Sequence, residues 1–221
     1  MGEDFFVRSR RLFSSLVFSA LIIPVNDPLL WKIDSFSNAK RHEVSFSEKG
    51  MFIKVRRSAS PIFFPLKGEV SVVGFKVTGE FTDLPKFSDP NRQGEKGFDD
   101  FPLRVGLVIP GANKLTGFKK MVAPSWIKRI YDQIPKERGL DHVQFFNVTQ
   151  NKAILGKTRN HPASDLLRED FFVFADKAGP FTYEAKIEAP IKTVALWISS
   201  DGDDTKSDYD VLISELTLMA Q

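Results

Sequence analysis

Short apolar runs separated by glycine- and proline-rich turns recur along most of the chain. In the run 51–56, Ile53 and Val55 alternate with charged residues, which is the period-two pattern of a strand with one face in water. The run 42–47 precedes it across a short turn that ends in Gly50, so the pair predicts a β-hairpin. Roughly ten such runs, rich in β-branched and aromatic residues, predict an all-β fold of the β-sandwich or jelly-roll type.

One segment has the period of a helix instead. Its apolar positions fall three and four residues apart, at Trp126, Ile127, Ile130, Tyr131 and Ile134. Ser125 stands where a side chain would cap the first turn, and Pro135 ends the pattern. The sequence therefore predicts one helix near residues 125–134, inserted in the β fold, whose apolar stripe packs on a sheet.

The size and charge of the chain narrow the class of protein. Its 221 residues suit one large β domain, and 42% of them are hydrophobic, which is enough for a buried core. Lys and Arg number 31 against 28 Asp and Glu, and this near balance argues against a nucleic-acid partner. The chain contains no Cys, which excludes disulfides, thiolate metal sites and cysteine nucleophiles.

The first 25 residues have the layout of a secretory signal peptide. Arg8, Arg10 and Arg11 precede an apolar stretch, 12–25, that is short for a transmembrane helix. We therefore predict a leader at 1–25, a single β-sandwich domain at 26–221, and a periplasmic or secreted location. In this prediction, the leader is the only part of the chain that contacts a membrane. A buried N-terminal strand or helix and an uncleaved anchor are the alternatives.

Five carboxylates are concentrated in the loop between the apolar runs 194–199 and 211–218. They are Asp201, Asp203, Asp204, Asp208 and Asp210. Such a cluster repels itself unless a cation, water or basic side chains compensate. An EF-hand does not fit, because the sixth position is Lys206 instead of Gly and the twelfth is Leu212 instead of Glu.

Three interpretations of this acidic loop stay open. A solvated hairpin loop is the first, since Asp is a good turn former. Ion pairs with basic side chains elsewhere in the fold, such as Arg104 or Arg168, are the second. The third is an oxygen-ligated Ca²⁺ site of another kind, held by Asp201, Asp203 and Asp208.

Familiar catalytic signatures are absent from the sequence, and its three histidines are scattered. Asp99 and Asp100 form a carboxylate pair at the entrance of a strand, where they would serve as acid and base in a glycosidic-bond hydrolase. Adjacent strand residues point to opposite faces, however, so the two carboxylates need not converge. The pair fits the cap of a turn equally well. The aromatic side chains that offer either a sugar-stacking platform or core packing are Trp31, Trp126 and Trp197.

Four stretches of the sequence form a further pattern by their order and spacing. They are VRRSAS at 55–60, GFDDFPLRV at 97–105, RED at 168–170 and ALWISSDGDDT at 195–205. Together they resemble domain-of-unknown-function family 3047, a family of mostly exported bacterial proteins. The resemblance implies a galactose-binding-like jelly roll, in which the helix around Trp126 looks like an insertion. The family's Asp and Arg pattern falls on Asp99, Asp100, Arg104, Arg168, Asp170, Asp201, Asp203 and Thr205.

These observations predict a function class without deciding whether the chain is an enzyme. Alternating Asp and Arg side chains offer paired hydrogen bonds to hydroxyls and carboxylates. We therefore predict an exported module that binds a carbohydrate or a small polar ligand through Asp100, Arg104, Arg168, Asp170, Asp201 and Asp203. The alternatives are a glycosidic-bond hydrolase that uses paired carboxylates and a structural protein whose acidic loop is held by Ca²⁺ or by ion pairs.

Overall fold

The computed structural model describes residues 19–221, and its regular structure is mostly β. The strands are β1 (Ser19–Ile22), β2 (Lys32–Ile33), β3 (Glu43–Ser47), β4 (Gly50–Arg56), β5 (Ile62–Phe81), β6 (Arg104–Gly111), β7 (Gly139–Thr149), β8 (Thr158–His161), β9 (Ser164–Phe174), β10 (Gly179–Ser199) and β11 (Asp208–Ala220). The helices are α1 (Gly117–Val122) and α2 (Ser125–Tyr131), with short 3-10 turns at Pro28–Leu30 and Pro90–Arg92.

Within residues 19–221, the eleven strands belong to one hydrogen-bonded sheet. Its order is β3-β4-β11-β5-β10-β6-β7-β9-β8, with β1 beside β11 and β2 beside β5. Neighbouring strands are antiparallel except β7 and β9, which are parallel. The last strand of the chain, β11, therefore lies inside the sheet, between β4 and β5.

This sheet folds over on itself into two layers. The rings of Phe75 on β5 and Phe146 on β7 lie 5.3 Å apart, although β10 and β6 separate their strands. In a flat sheet three strand spacings amount to about 14 Å, so the two rings meet face to face across a core. Strands β5 and β10, 20 and 21 residues long, run through both layers. The predicted all-β sandwich is confirmed.

Two hydrophobic clusters hold the layers. The larger lies between them and includes Phe75, Leu107, Leu196 and Ile198. The smaller covers the outer face of the second layer, where Phe63, Phe145, Ala195 and Trp197 meet Ile130 and Ile134. Residues 194–199 of β10 are thus buried on both faces, which explains why this run has no polar alternation.

The predicted helix is present and begins at Ser125, but it ends three residues earlier than predicted. Helix α2 stops at Tyr131 and buries Ile130 in the smaller cluster, as its apolar stripe predicts. Pro124, and not Ser125, stands at the N-cap, and no side chain caps the first turn. A second helix, α1, precedes it, and the sequence pattern did not indicate this element. The predicted hairpin is confirmed as β3 and β4, paired from Glu43–Lys54 to Ser47–Gly50.

Residues 19–25 belong to the sandwich in this structure. Strand β1 pairs with β11 from Ser19–Ala220 to Ile22–Thr217, and Ile23 and Val25 enter the larger cluster. Residues 1–18, which carry most of the predicted leader, lie outside the described residues, so the leader stays a prediction. Among residues 19–221, no helix has the length and apolar character needed to cross a bilayer.

The neighbours Ile22 and Ile23 test whether this segment stabilises the fold. Ile23 is 2% exposed and Ile22 is 76% exposed. We expect Ile23→Val to lower the free energy of unfolding by about 1 kcal/mol, because it removes one buried methylene. Ile22→Val, its matched control, should change this free energy by less than about 0.5 kcal/mol. Urea unfolding of both variants checks this, and equal stabilities would show that the segment adds nothing.

Candidate functional site

A cleft of about 250 Å³ opens on the outer face of the second layer, beside α2. One wall is aromatic, and the other carries charged side chains. The aromatic lining consists of Phe36, Trp126, Phe145 and Trp197. The charged and imidazole groups of the lining are Asp99, Asp100, Arg104, His161, Asp201, Asp203 and Asp204. Binding sites of folded proteins commonly combine an apolar surface with a few placed polar groups in this way.

The aromatic wall is built around Trp197. Its ring lies 5.0 Å from that of Phe63, 5.0 Å from that of Phe145 and 6.3 Å from that of Phe36, measured between centroids. These tilted and edge-to-face contacts fix the indole, which is 3% exposed and whose N–H finds no hydrogen-bond partner among residues 19–221. Trp126 is half-buried and offers the more accessible ring. The wall is therefore rigid at its base and open along α2.

A buried guanidinium, that of Arg104, organises the charged wall. Its Nε donates to Asp201 Oδ2 at 2.8 Å and its Nη1 to Glu169 Oε1 at 3.0 Å. Its Nη2 donates to Asp99 Oδ2 at 3.1 Å and to the carbonyl oxygen of Asp99. The planar group also lies over the ring of Phe101, 4.4 Å from the centroid. Three carboxylates from distant parts of the chain thus share one cation.

A second guanidinium, that of Arg159, extends this network. Its Nε donates to Glu169 Oε2 at 2.7 Å, and its Nη2 reaches Asp99 Oδ1 at 3.3 Å. His161 Nε2 lies 2.8 Å from Asp99 Oδ2, and Asn147 Nδ2 donates to Glu169 Oε1 at 2.7 Å. Three carboxylates therefore face two guanidinium groups, so the network carries one negative charge when His161 is neutral and all three carboxyls are ionised.

The strand register brings these residues together. Arg104 begins β6, where it pairs with Ser199 of β10 on one side and with Asn147 of β7 on the other. Strand β9 then runs parallel to β7 and places Glu169 beside Phe145. Asp201 follows β10 after two residues. The network therefore forms where the start of β6 and the end of β10 lie beside residues within β7 and β9.

Burial and neighbouring charges separate the pKa values of the carboxyls. Burial alone would raise the pKa of Asp99, but Arg104 and His161 outweigh it and hold that pKa at about 2. Burial raises the pKa of Asp201 to about 7 in spite of the Arg104 charge. It also raises the pKa of Asp203 to about 6, with help from Asp100 and Asp204. Burial alone would lower the pKa of Arg104, but its three carboxylate neighbours outweigh it and raise that pKa.

The acidic loop is held largely by hydrogen bonds and ion pairs of the protein itself. Asp100, which is buried, accepts from Thr205 N and Thr205 Oγ1, both at 2.6 Å, and from Asp204 N at 3.3 Å. Asp204 in turn accepts from the backbone N–H of Asp99 at 3.0 Å. Asp99 and Asp100 therefore point apart, one into the Arg104 network and one into the acidic loop.

The six predicted ligand-binding residues do not all meet. Arg104 and Asp201 are bonded to each other, and Asp100 and Asp203 line the same cleft. Arg168 and Asp170 lie outside it and border a separate shallow groove on β9 with Gln144.

Sequence reasoning passed over Glu169, Arg159 and His161 as members of the network. The signal for Glu169 was present, since period-two alternation places it with Leu167 and Phe171 on the buried face of β9. Arg168 and Asp170 fall on the other face by the same rule.

The predicted Ca²⁺ ligands show a poor fit to a cation. Asp201 accepts hydrogen bonds from Arg104 Nε and, at 2.6 Å, from Ser199 Oγ. Asp208 is exposed, and its Oδ2 lies 3.8 Å from Arg57 Nε. In the described part of the chain, the group whose ligand atoms come within 4.8 Å of one another is Asp99, His161 and Glu169. Two guanidinium groups already bond those carboxylates, so a cation would have to displace them. The Ca²⁺ site stays a prediction, which melting with Ca²⁺ and with chelator tests.

The strands form an all-β sandwich, and its cleft combines aromatic and charged side chains. No protein-family model and no curated protein sequence matches the chain. One solved structure that is similar is a xylan-binding module, CBM15. Its sequence identity to this chain is 8% and the TM-score is 0.39, and the alignment covers 91% of this chain and 96% of that chain.

The carbohydrate recognition domain of Emp47p is similar with 8% identity and a TM-score of 0.37, over 91% and 94% of the two chains. Arcelin-5 of Phaseolus vulgaris, a lectin-like defense protein, is similar with 11% identity and a TM-score of 0.31, over 92% and 98%. These are distant similarities, and what those proteins bind is a property of those proteins.

Proposed function

We propose that this protein binds a neutral carbohydrate in the cleft beside α2. The observation that carries the proposal is the lining itself, which combines four aromatic side chains with five carboxylates. An aromatic ring packs well against the C–H face of a sugar, and a carboxylate accepts hydrogen bonds from sugar hydroxyls. The half-buried ring of Trp126 supplies the first kind of contact. Asp203 and Asp204 supply the second.

The charge balance of the lining favours a neutral ligand over an acidic one. Five carboxylates line the cleft, and Arg104 is its one guanidinium among the described residues. The donors of that guanidinium are directed at Asp99, Glu169 and Asp201. A uronic acid would therefore bring its carboxylate to a negative surface without a free cation to meet it. Export to the periplasm or the cell exterior, and membership of domain-of-unknown-function family 3047, remain parts of the proposal that come from the sequence.

Substitutions in the cleft test this function. We expect Trp126→Ala to weaken binding of a neutral oligosaccharide about tenfold or more, because a large apolar contact is lost. Trp126→Phe should recover part of the affinity. Asp203→Asn should weaken binding about tenfold, because it removes a charged acceptor, while Asp208→Asn in the same loop should leave the affinity unchanged.

The measurement is calorimetric titration of the whole chain with sugars selected on an array of neutral and acidic glycans. Binding of uronic acids in preference to neutral sugars would contradict the neutral-ligand proposal. The absence of any binding sugar on the array would contradict carbohydrate binding.

Glycosidic-bond hydrolysis is the second candidate, and the separated pKa values of two cleft carboxyls favour it. A protonated acid and an ionised partner are the pair that such hydrolases use. Asp203, with its pKa at about 6, fits the acid, and Asp99, with its pKa at about 2, fits the ionised partner. Asp99 is committed to Arg104 and His161, however, which argues for a positioning role. Release of reducing ends from a bound oligosaccharide, lost in Asp203→Asn at saturating sugar, would establish hydrolysis.

A further inference from the structure

Helix α1 turns an apolar face to solvent. Phe118, Met121 and Val122 occupy positions i, i+3 and i+4, which share one side of a helix. Their exposed fractions are 71%, 68% and 59%. The apolar side of a helix normally packs on the core, as Ile130 of α2 does. The apolar side of α1 does not, so packing within the fold does not explain these three residues.

A basic groove of about 360 Å³ lies next to this helix. Among the described residues, five basic side chains and a single carboxylate, Asp132, line it. The basic residues are Lys114, Lys120, Lys128, Lys136 and Arg138.

Two of these basic groups are engaged by the protein. Arg138 pairs with Glu69 at 3.3 Å, and Lys128 Nζ donates to the carbonyl oxygen of Met121 at 3.3 Å. Lys114, Lys120 and Lys136 are exposed and form no ion pair within residues 19–221. Three ammonium groups therefore face solvent next to α1, and Lys120, two residues from Phe118, lies on the polar side of that helix.

We propose that this surface, defined by Phe118, Met121, Val122, Lys114, Lys120 and Lys136 and named the α1 surface, docks on an anionic membrane. Lysines alone would suit any polyanion, and an apolar face alone would suit a protein partner. The two together match a bilayer interface, where anionic headgroups meet the ammonium groups and the apolar side chains enter the headgroup boundary. Charge complementarity and the exposed apolar face thus favour the same partner.

The α1 surface is independent of the proposed sugar cleft. The groove and the cleft have no lining residue in common, although α2 contributes Trp126 to one and Lys128 to the other. Membrane contact would then leave the cleft lining intact. It would also be a second membrane contact, distinct from the predicted leader.

Vesicle sedimentation of the whole chain tests the proposal. The probes are vesicles of phosphatidylcholine, with and without about a third of phosphatidylglycerol, in low salt and in roughly 0.5 M salt. We expect binding to the anionic vesicles, and weaker binding in high salt. The triple variant Lys114→Gln, Lys120→Gln and Lys136→Gln should bind about a hundredfold more weakly, since each lysine near an anionic surface contributes about fivefold.

A matched control carries the same change of net charge elsewhere. Lys49, Lys157 and Lys177 are exposed and form no ion pair in the described structure, so their triple replacement by Gln should leave vesicle binding nearly unchanged. The double variant Phe118→Ser, Met121→Ser should bind anionic vesicles severalfold more weakly than the wild type. The fraction of its binding that survives high salt should also be smaller. Thermal melts of all variants verify that they fold.

Three outcomes would overturn the proposal. If both lysine triples bind vesicles as the wild type does, any membrane contact comes from other residues. If the serine variant binds with unchanged affinity, the apolar face does not enter the interface. If the whole chain binds heparin through these lysines but not the anionic vesicles, the partner is a soluble polyanion.

Discussion

Replacing Arg104 with methionine is expected to lower the free energy of unfolding by about 3–5 kcal/mol at neutral pH. The guanidinium is 7% exposed and bonds Asp99, Glu169 and Asp201. Methionine fills a similar volume, so the main loss is the charge and its hydrogen bonds. Glu169 would keep Arg159 and Asn147, but Asp201 would keep only Ser199 among these partners.

The destabilisation should shrink as the pH falls, because the uncompensated carboxylates then take up protons. Arg56→Met is the matched control. Arg56 pairs with Asp210 at 2.6 Å near the surface, and its side chain is 38% exposed, so its loss should cost less than about 1 kcal/mol. Urea unfolding at pH 7 and pH 5 measures both variants. Equal, small effects at the two positions would show that the buried network does not hold the loops to the strands.

Asp201 is expected to make the protein more stable at pH 4.5 than at pH 8, by about 3 kcal/mol. Its pKa rises from the usual 3.8 to about 7 in the folded state, chiefly through burial. A raised pKa means that the folded protein holds this proton more tightly than the unfolded chain does. The contribution is therefore complete below about pH 4 and is lost as the pH rises through 7. Asp99, with its lowered pKa, acts in the opposite direction only below about pH 4.

The variant Asp201→Asn should lose most of this pH dependence. Its amide oxygen can accept from Arg104, and its NH₂ group can donate to Ser199 Oγ, so the local contacts survive. Asp203, with its pKa at about 6, contributes a smaller slope of the same sign in both proteins. The exposed Asp208→Asn is the control and should keep the slope of the wild type. Buried His42, whose pKa burial lowers to about 4, contributes a slope of the opposite sign that wild type and variant share. Thermal melts of both proteins from pH 4.5 to pH 8 check the prediction, and equal slopes in wild type and Asp201→Asn would contradict it.

Local patterns were sufficient for most of the fold. Alternation at Ile53 and Val55 indicated a strand, and it pairs in β4 with β3 and β11. The helical spacing around Ile130 indicated α2. The same rules missed α1, because its three apolar residues face solvent and its six residues are too few for a periodic signal.

The charged site was only partly predictable, because it is assembled across long sequence separations. Arg104 meets Asp201 across 97 residues and Glu169 across 65. No local spacing encodes such contacts. The sequence could select Asp201 as a candidate only from its acidic loop, and Arg104 only from its position on a strand. Arg168 and Asp170 were selected by charge. The alternation of β9 instead places Glu169, the residue between them, in the network.

The interior position of β11 sets the order in which this chain can fold. Strands β4 and β5 flank it, yet residues 208–220 are synthesised more than a hundred residues after both. Before residues 208–220 are available, β4 can pair with β3 and β5 with β10, but the first layer stays open between β4 and β5. Completion of the core is therefore a late step, in which β11 joins the β3–β4 hairpin to β5.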